Sequence, residues 1–385
     1  MSRPVKILGA VPNEFTSITR PTPCFPADAQ LGQRCGVFPV LATDAGLLPR
    51  KLASRVCGCE ASDAKAAGRS ALEGEHRVLR VWRPAEVGSR ENISWMQPSE
   101  NRLALAAAIS TASALDLTVD DAIVLHDSNR FTVRLLPCDV VARVSPAAHH
   151  VAQFEVELAQ RLGETESPVA VLESRVQPRV YEHDGFVVTL WTYYKAVTPR
   201  DFSPADYANA LERLHAGMHR LDIRAPHFTD RVEAAQRLVD SRNLTPELAA
   251  ADRELLINTL RSRRQAIVDR GAAEQLLHGE PHPGNVLSTK TGLLFIDLET
   301  CCRGPVEFDL AHVPEDVSDR YAGADEDLLG ECRALVLAMV AAWRWDPGDQ
   351  FPNGQRAARE LLSALREDPP WPTLSAVMMS RPDGP

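Results

Sequence analysis

Between Leu276 and Leu310 the chain reads LLHGEPHPGNVLSTKTGLLFIDLETCCRGPVEFDL, and no other stretch restricts the fold as tightly. Pro281 and Pro283 have no backbone N–H to give, and with Gly284 they forbid a helix between His278 and Asn285 and force a tight loop. Such a loop can turn the carboxylate of Glu280 and the amide of Asn285 toward one cavity. Val286-Leu287-Ser288, a turn over Thr289 to Gly292 and the apolar run Leu293 to Ile296 predict a β-hairpin. That hairpin returns Asp297 to the side of the loop.

A loop carboxylate that takes or orients a hydroxyl proton, an Asn on Mg²⁺ and an Asp on Mg²⁺ after the next strand are recurring parts of kinase-type phosphoryl transfer. Glu280, Asn285 and Asp297 occur in that order, and Glu299 could serve a second metal ion or its water shell, or cap the following turn. Mg²⁺ is hard and takes oxygen ligands, so these residues suit it. The thiols of Cys301 and Cys302 match it poorly and read as packing.

In HGEPHPGN, FIDLE and GPVEFDLA the chain resembles the aminoglycoside phosphotransferase family, the small-molecule branch of the protein-kinase-like fold. The resemblance covers about residues 100–345. It implies an α+β fold of two lobes, a small antiparallel β lobe over 96–194 and a larger helical lobe over 195–367. It also implies ATP and Mg²⁺ as cofactors and a small-molecule hydroxyl, aminoglycoside-like or from a metabolite, as the phosphate acceptor. His278 would brace the loop, and Asp309 would begin a helix while supporting it. The family usually has HGD where this chain has His278-Gly279-Glu280. The extra methylene moves the carboxylate by about 1 Å, a displacement that can cost ~10²-fold in rate. One alternative is therefore a nucleotide-binding protein without catalysis. Another is a zinc hydrolase using His278, Glu280 and His282, against which the two prolines stand, because alternation chelates from a strand.

Upstream, an apolar helical pattern begins at Asn101, followed by predicted strands over Ala122–Leu125, Phe131–Leu135 and Val140–Val144. His126-Asp127-Ser128-Asn129-Arg130 joins the first two strands and contains no glycine. Ser128 and Asn129 can still turn the chain and offer donors, as similar polar loops do in the resembling family. Arg143 is the one cation in Val140–Val144, where a kinase places its phosphate-gripping lysine, and a guanidinium can bind phosphate bidentately. An edge-strand arginine facing water is the other reading. The helix His149–Leu162 offers Glu155 and Glu157 as its partners, and the resemblance favours Glu157 through Glu-Leu-Ala.

Further strands are expected over Val169–Leu172, Val176–Tyr181 and Phe186–Thr192, giving a sheet of about five strands. Trp191 and Tyr193 fall where the resemblance implies an adenine-binding hinge, or they pack the seam between lobes. Ser203 before Pro204 is a helix start, with His215 expected in the core. Helices follow over Asp230–Ser241, Pro246–Arg270, Leu328–Trp345 and Gln355–Arg366.

Charge narrows the partners. Net charge is −10, yet residues 1–95 carry 13 Lys and Arg against 9 Asp and Glu, and the remainder carries 29 against 43. That acidic remainder disfavours nucleic acid and suits a cationic small molecule. Nine acids against Arg320 between Glu307 and Glu331 offer either an acidic wall for a polyamine acceptor or a solvated helix face. Eight cysteines without a CxxC pair read as reduced thiols. Neither a membrane-length apolar run nor a signal-peptide pattern appears, so a cytoplasmic protein is expected. Residues 1–95 lack sustained periodicity and read as a disordered arm or as an over-extended reading frame ahead of Met96. The proline-rich 368–385 reads as a flexible tail.

Overall fold

The structure, a computed structural model, describes residues 81–82, 98–127, 130–148, 151–197, 202–349, 351 and 353–379. The arm expected over 1–95, apart from 81–82, lies outside the described residues, as do Ser128 and Asn129. Six strands form one sheet in the order β1-β2-β3-β4-β6-β5. They are β1 (Val81–Trp82), β2 (Val119–Asp127), β3 (Phe131–Pro137), β4 (Val140–Pro146), β5 (Tyr181–His183) and β6 (Phe186–Thr192). All neighbours are antiparallel except β1 and β2.

Alternation along the strands decides what each face covers. Phe131, Val133 and Leu135 of β3 and Val140, Ala142 and Val144 of β4 point to one side and are buried. There they meet Ala104, Ala107, Ala108 and Ala112 of helix α1 (Pro98–Ala114). Alanines let that helix approach the sheet closely. Helix α2 (Val151–Gly163) instead sends Leu158 and Leu162 into the second and larger core, shared with the helical part of the chain.

Strands were expected over Val169–Leu172 and Val176–Tyr181, but Val169 and Leu172 make only isolated bridges, to Phe295 and Trp191. β5 begins at Tyr181. Pro168 and Pro178 interrupt ladder donors on either side, leaving a segment that runs between the sheet and the later hairpin.

The helical part holds α3 (Pro204–His219), α4 (Phe228–Asp240), α5 (Ala250–Arg270), α6 (Val306–Leu310), α7 (Glu315–Ser318), α8 (Glu326–Trp343), α9 (Gly354–Leu365) and α10 (Leu374–Met379). Among them lie β7 (Gln275–Leu277), the hairpin β8 (Val286–Thr289) and β9 (Gly292–Phe295), and β10 (Cys302–Gly304). Ser203 caps α3 in a reciprocal capping box with Asp206. α8 is buried nearly all round and is the central helix.

Thr245 was expected to start α5, yet the helix begins at Ala250. The Thr245 hydroxyl donates to the Ser241 carbonyl, and Arg253 occupies both its hydroxyl and its carbonyl oxygen. Nor does the tail fray throughout: Thr373, Leu374 and Ser375 are buried, and Ser375 donates to the His312 carbonyl. Among the described residues no helix is long and apolar enough to cross a membrane.

Candidate active site

The loop after β7 is held mainly by backbone bonds from buried side chains. His278 is fully buried; its Nε2 meets the Ile296 carbonyl at 3.0 Å, and its Nδ1 accepts from the Glu280 N–H at 3.4 Å. Burial lowers its pKa, so the neutral ring donates through one nitrogen and accepts through the other. Neither nitrogen is then left for a metal, which removes His278 from the hydrolase reading. Gly279 has φ +87°, and a Cβ there would stand 2.0 Å from the Thr300 carbonyl oxygen. Only glycine fits that turn.

Asp309 accepts from the backbone N–H groups of His278 at 2.9 Å and Gly279 at 2.7 Å, and its Oδ2 lies 2.9 Å from His215 Nε2. It does so from inside α6 rather than as the residue that begins a helix, which corrects the expectation; Pro305 occupies the cap. His215, bonded also to Tyr321, is part of this buried brace.

Asn285 donates through Nδ2 to the Glu280 carbonyl at 3.0 Å, leaving its side-chain oxygen as the atom a hard cation would take. The Ile296 N–H donates to the Asn285 carbonyl at 3.0 Å, so the end of the hairpin is tied to the loop. Asp297 follows in the left-handed region, φ +67°, which Asp tolerates better than most residues. The loop backbone at Glu280, the amide of Asn285 and the turn that begins at Asp297 are thus tied together.

There Asp297 Oδ1 accepts from Arg143 Nη2 at 2.6 Å. Arg143 also pairs with Glu155, which is fully buried. Glu157 was the favoured partner, but it lies on the exposed side of α2; two residues on a helix turn about 200°. Arg143 does not face water as an edge-strand residue, because its side chain is 15% exposed and paired with both Glu155 and Asp297.

Arg130, to which the sequence reading gave no role, takes the second oxygen of Glu155 and also pairs with Glu299. Burial would disfavour a charge on Arg130, but Glu155, Glu299 and Asp297 raise its pKa. For Asp297 burial pushes upward, and Arg143 and Arg130 outweigh it to hold the carboxyl below its usual range. Glu299 ends differently: burial first, and the charge of Asp297 next, push it up to about 7 despite its ion pair with Arg130. A divalent cation would relieve this crowding, and Asn285, Asp297 and Glu299 supply the oxygen donors that Mg²⁺ prefers.

Glu280 is also paired. Arg231 of α4, with a side chain only 3% exposed, donates to the Glu280 carboxylate and, at 2.9 Å, to the Gly279 carbonyl. Its guanidinium lies 5.2 Å from the Trp343 ring centre. Arg231 sits on the same stripe as Phe228, Val232, Ala235 and Val239, so a cation on an apolar helix face was the available signal.

The remaining expected residues are more dispersed. Trp191 is buried and donates to Thr189 Oγ1 at 2.8 Å, and the Arg143 guanidinium lies 5.9 Å from its ring. Tyr193 lies under the Arg134 guanidinium, 3.7 Å away. The segment beyond it bonds to the hairpin through the Val197 N–H and Ser288 carbonyl. The acidic region is largely compensated: Asp325 and Asp327 pair with Arg270, Glu331 with Arg263 and Glu315 with Arg333, while Glu307 and Asp309 are buried.

The sequence profile described as "Phosphotransferase enzyme family" matches residues 122–348. No curated protein matches the chain. Among solved structures, an amicoumacin kinase, hAmiN, in complex with AMP-PNP, Ca²⁺ and Ami is similar with TM-score 0.55 at 10% identity, over 70% of this chain and 96% of that one. The GDP complex of aminoglycoside 2'-phosphotransferase-IIIa gives 0.52 at 15% identity, over 69% and 98%. A choline/ethanolamine kinase family protein from Mesorhizobium loti gives 0.51 at 18%, over 74% and 100%. At such identities the likeness shows the fold, two-lobed and kinase-like.

Proposed function

The chain belongs to the phosphotransferase enzyme family, and from that premise we propose that it transfers the γ-phosphoryl group of ATP to a hydroxyl of a small molecule, with Mg²⁺. The observation that carries this reading is the contact between Arg143 and Asp297, 2.6 Å, which joins the sheet to the turn after the hairpin beside the loop of Glu280 and Asn285. Arg143, positioned by Glu155, would bind phosphate oxygens, and its planar fork suits them. Asn285, Asp297 and Glu299 would hold the metal, which supplies neutralisation of phosphate charge. Glu280 would orient the acceptor hydroxyl and take up its proton, with Arg231 fixing the carboxylate. Trp191 and Tyr193 would line the adenine site, and Ser128 and Asn129, which lie outside the described residues, would offer donors to the phosphates. The acceptor need not be a polyamine, since most acids between Glu307 and Glu331 are paired or buried.

The Arg231–Glu280 ion pair favours a second reading, in which Glu280 is structural and the protein binds nucleotide without transfer. Turnover separates the two. A panel of hydroxyl compounds is screened by thermal shift with ATP analogue and Mg²⁺, and the hits are assayed for phosphorylation. The first reading expects a phosphorylated product and loss of at least ~10²-fold in rate for Asp297→Asn. Binding of ATP·Mg²⁺ without product or slow hydrolysis supports the second, and stoichiometric zinc in the purified protein would count against both.

A further inference from the structure

We propose that Arg130 is a second phosphate-binding guanidinium, forming with Arg143 a two-arginine clamp on the nucleotide. This rests on the reading of the cleft as a nucleotide site. The two arginines share one carboxylate: Arg130 takes one oxygen of Glu155 and Arg143 the other. Burying two guanidiniums is costly unless the limbs of each are paired. The other limb of each arginine points to the same turn, Arg130 to Glu299 and Arg143 to Asp297. Those are the carboxylates placed to hold a divalent cation, and a cation drawing on them leaves both guanidinium limbs to phosphate oxygens.

The turn between β2 and β3 supplies the reason for the second arginine. His126-Asp127-Ser128-Asn129-Arg130 has no glycine, so its backbone N–H groups lack the freedom and the close approach that glycine gives a phosphate-cradling loop. A side chain with five donors compensates. The end of the turn faces the site, where Arg130 makes its ion pairs. Asn101 of α1 donates to Asp127 at 2.8 Å and ties the base of the turn to the helix behind the sheet.

A purely structural strut between β3 and α2 would make the same ion pairs, so the test reads phosphate dependence. Affinities of full-length wild type, Arg130→Gln and Arg130→Lys are measured by titration calorimetry for ATP, ADP and adenosine, with melting recorded for each. Arg130→Gln is expected to weaken ATP and ADP by about 10- to 100-fold and adenosine by no more than about twofold, with Arg130→Lys recovering part of the loss. Equal losses for all three ligands, or unchanged ATP affinity in a folded variant, overturn the clamp. Wild type that binds none of the three overturns the nucleotide site itself.

Discussion

Glu280 concentrates the question of what one methylene does. Its carboxylate reaches Arg231, and both side chains are 3% exposed, so neither charge has water to fall back on. Breaking such a pair from one side typically costs about 3–5 kcal/mol, whereas neutralising both partners is far less harmful. Arg231→Met is therefore expected to lose about that much stability by chemical denaturation, and Arg231→Met with Glu280→Gln to recover most of it. Additive losses would show that the two residues are not energetically coupled. Gly279 is a sharper case, because a Cβ would meet the backbone carbonyl of Thr300, which cannot step aside. Gly279→Ala should cost stability and displace Glu280, giving a larger fall in turnover than in nucleotide affinity; equal falls would place the damage elsewhere.

At the scale of elements, the reading from sequence succeeded where a local rule leaves one outcome. Pro281, Pro283 and Gly284 keep an α-helix out of the loop, which still closes one 3-10 turn over Pro283–Asn285; the apolar run to Ile296 gives the hairpin, and Ser203 with Asp206 caps α3. It went astray where a partner distant in sequence decides. Thr245 has the chemistry of a cap, but Arg253 claims it. Asp309 sits inside α6 rather than at its start, although its oxygens do accept from the loop thirty residues earlier. Arg130 and Arg231 were passed over because a charged residue in a turn or on a helix ordinarily faces water. The choice between Glu155 and Glu157 is of the same kind, since both carry the right group and only the rotation of α2 against β4 selects one. Glu155→Gln leaves two guanidiniums without their shared carboxylate and is expected to destabilise the protein by about 3 kcal/mol or more. Glu157→Gln, on the solvent side, should change stability by less than about 0.5 kcal/mol. Reversal of that order in denaturant melts would return Glu157 to the site.

For the molecule as a whole, buried titratable groups make stability depend on pH in two opposite ways. His312 closes the region where α6, α4 and the C-terminal segment meet: its ring bonds to the Phe308 carbonyl at 2.9 Å, and its own carbonyl accepts from Ser375. Burial lowers its pKa from 6.5 to about 4. The unfolded chain then binds a proton that the folded one refuses, so the stability is complete above pH 6.5 and is lost as pH falls toward 4. Its share is up to about 3 kcal/mol, and His278, shifted in the same direction, adds to it. Glu299 acts with the other sign. Raised from 4.5 to about 7, it keeps a proton that the unfolded chain has released, and stability falls as pH rises through that window. His312→Gln is accordingly expected to flatten the rise of melting temperature between pH 4 and 6.5. Glu299→Gln should instead remove a decline between 4.5 and 7, gaining on wild type at pH 8 relative to pH 5. Both curves come from melting across pH in matched ionic strength, and parallel curves for wild type and Glu299→Gln would mean that neither burial nor Asp297 raises the Glu299 carboxyl. If Asp297 and Glu299 hold a divalent cation, it would relieve the same crowding, and Mg²⁺ or Mn²⁺ should raise the wild-type melting temperature more at pH 8 than at pH 5 and do less in Glu299→Gln.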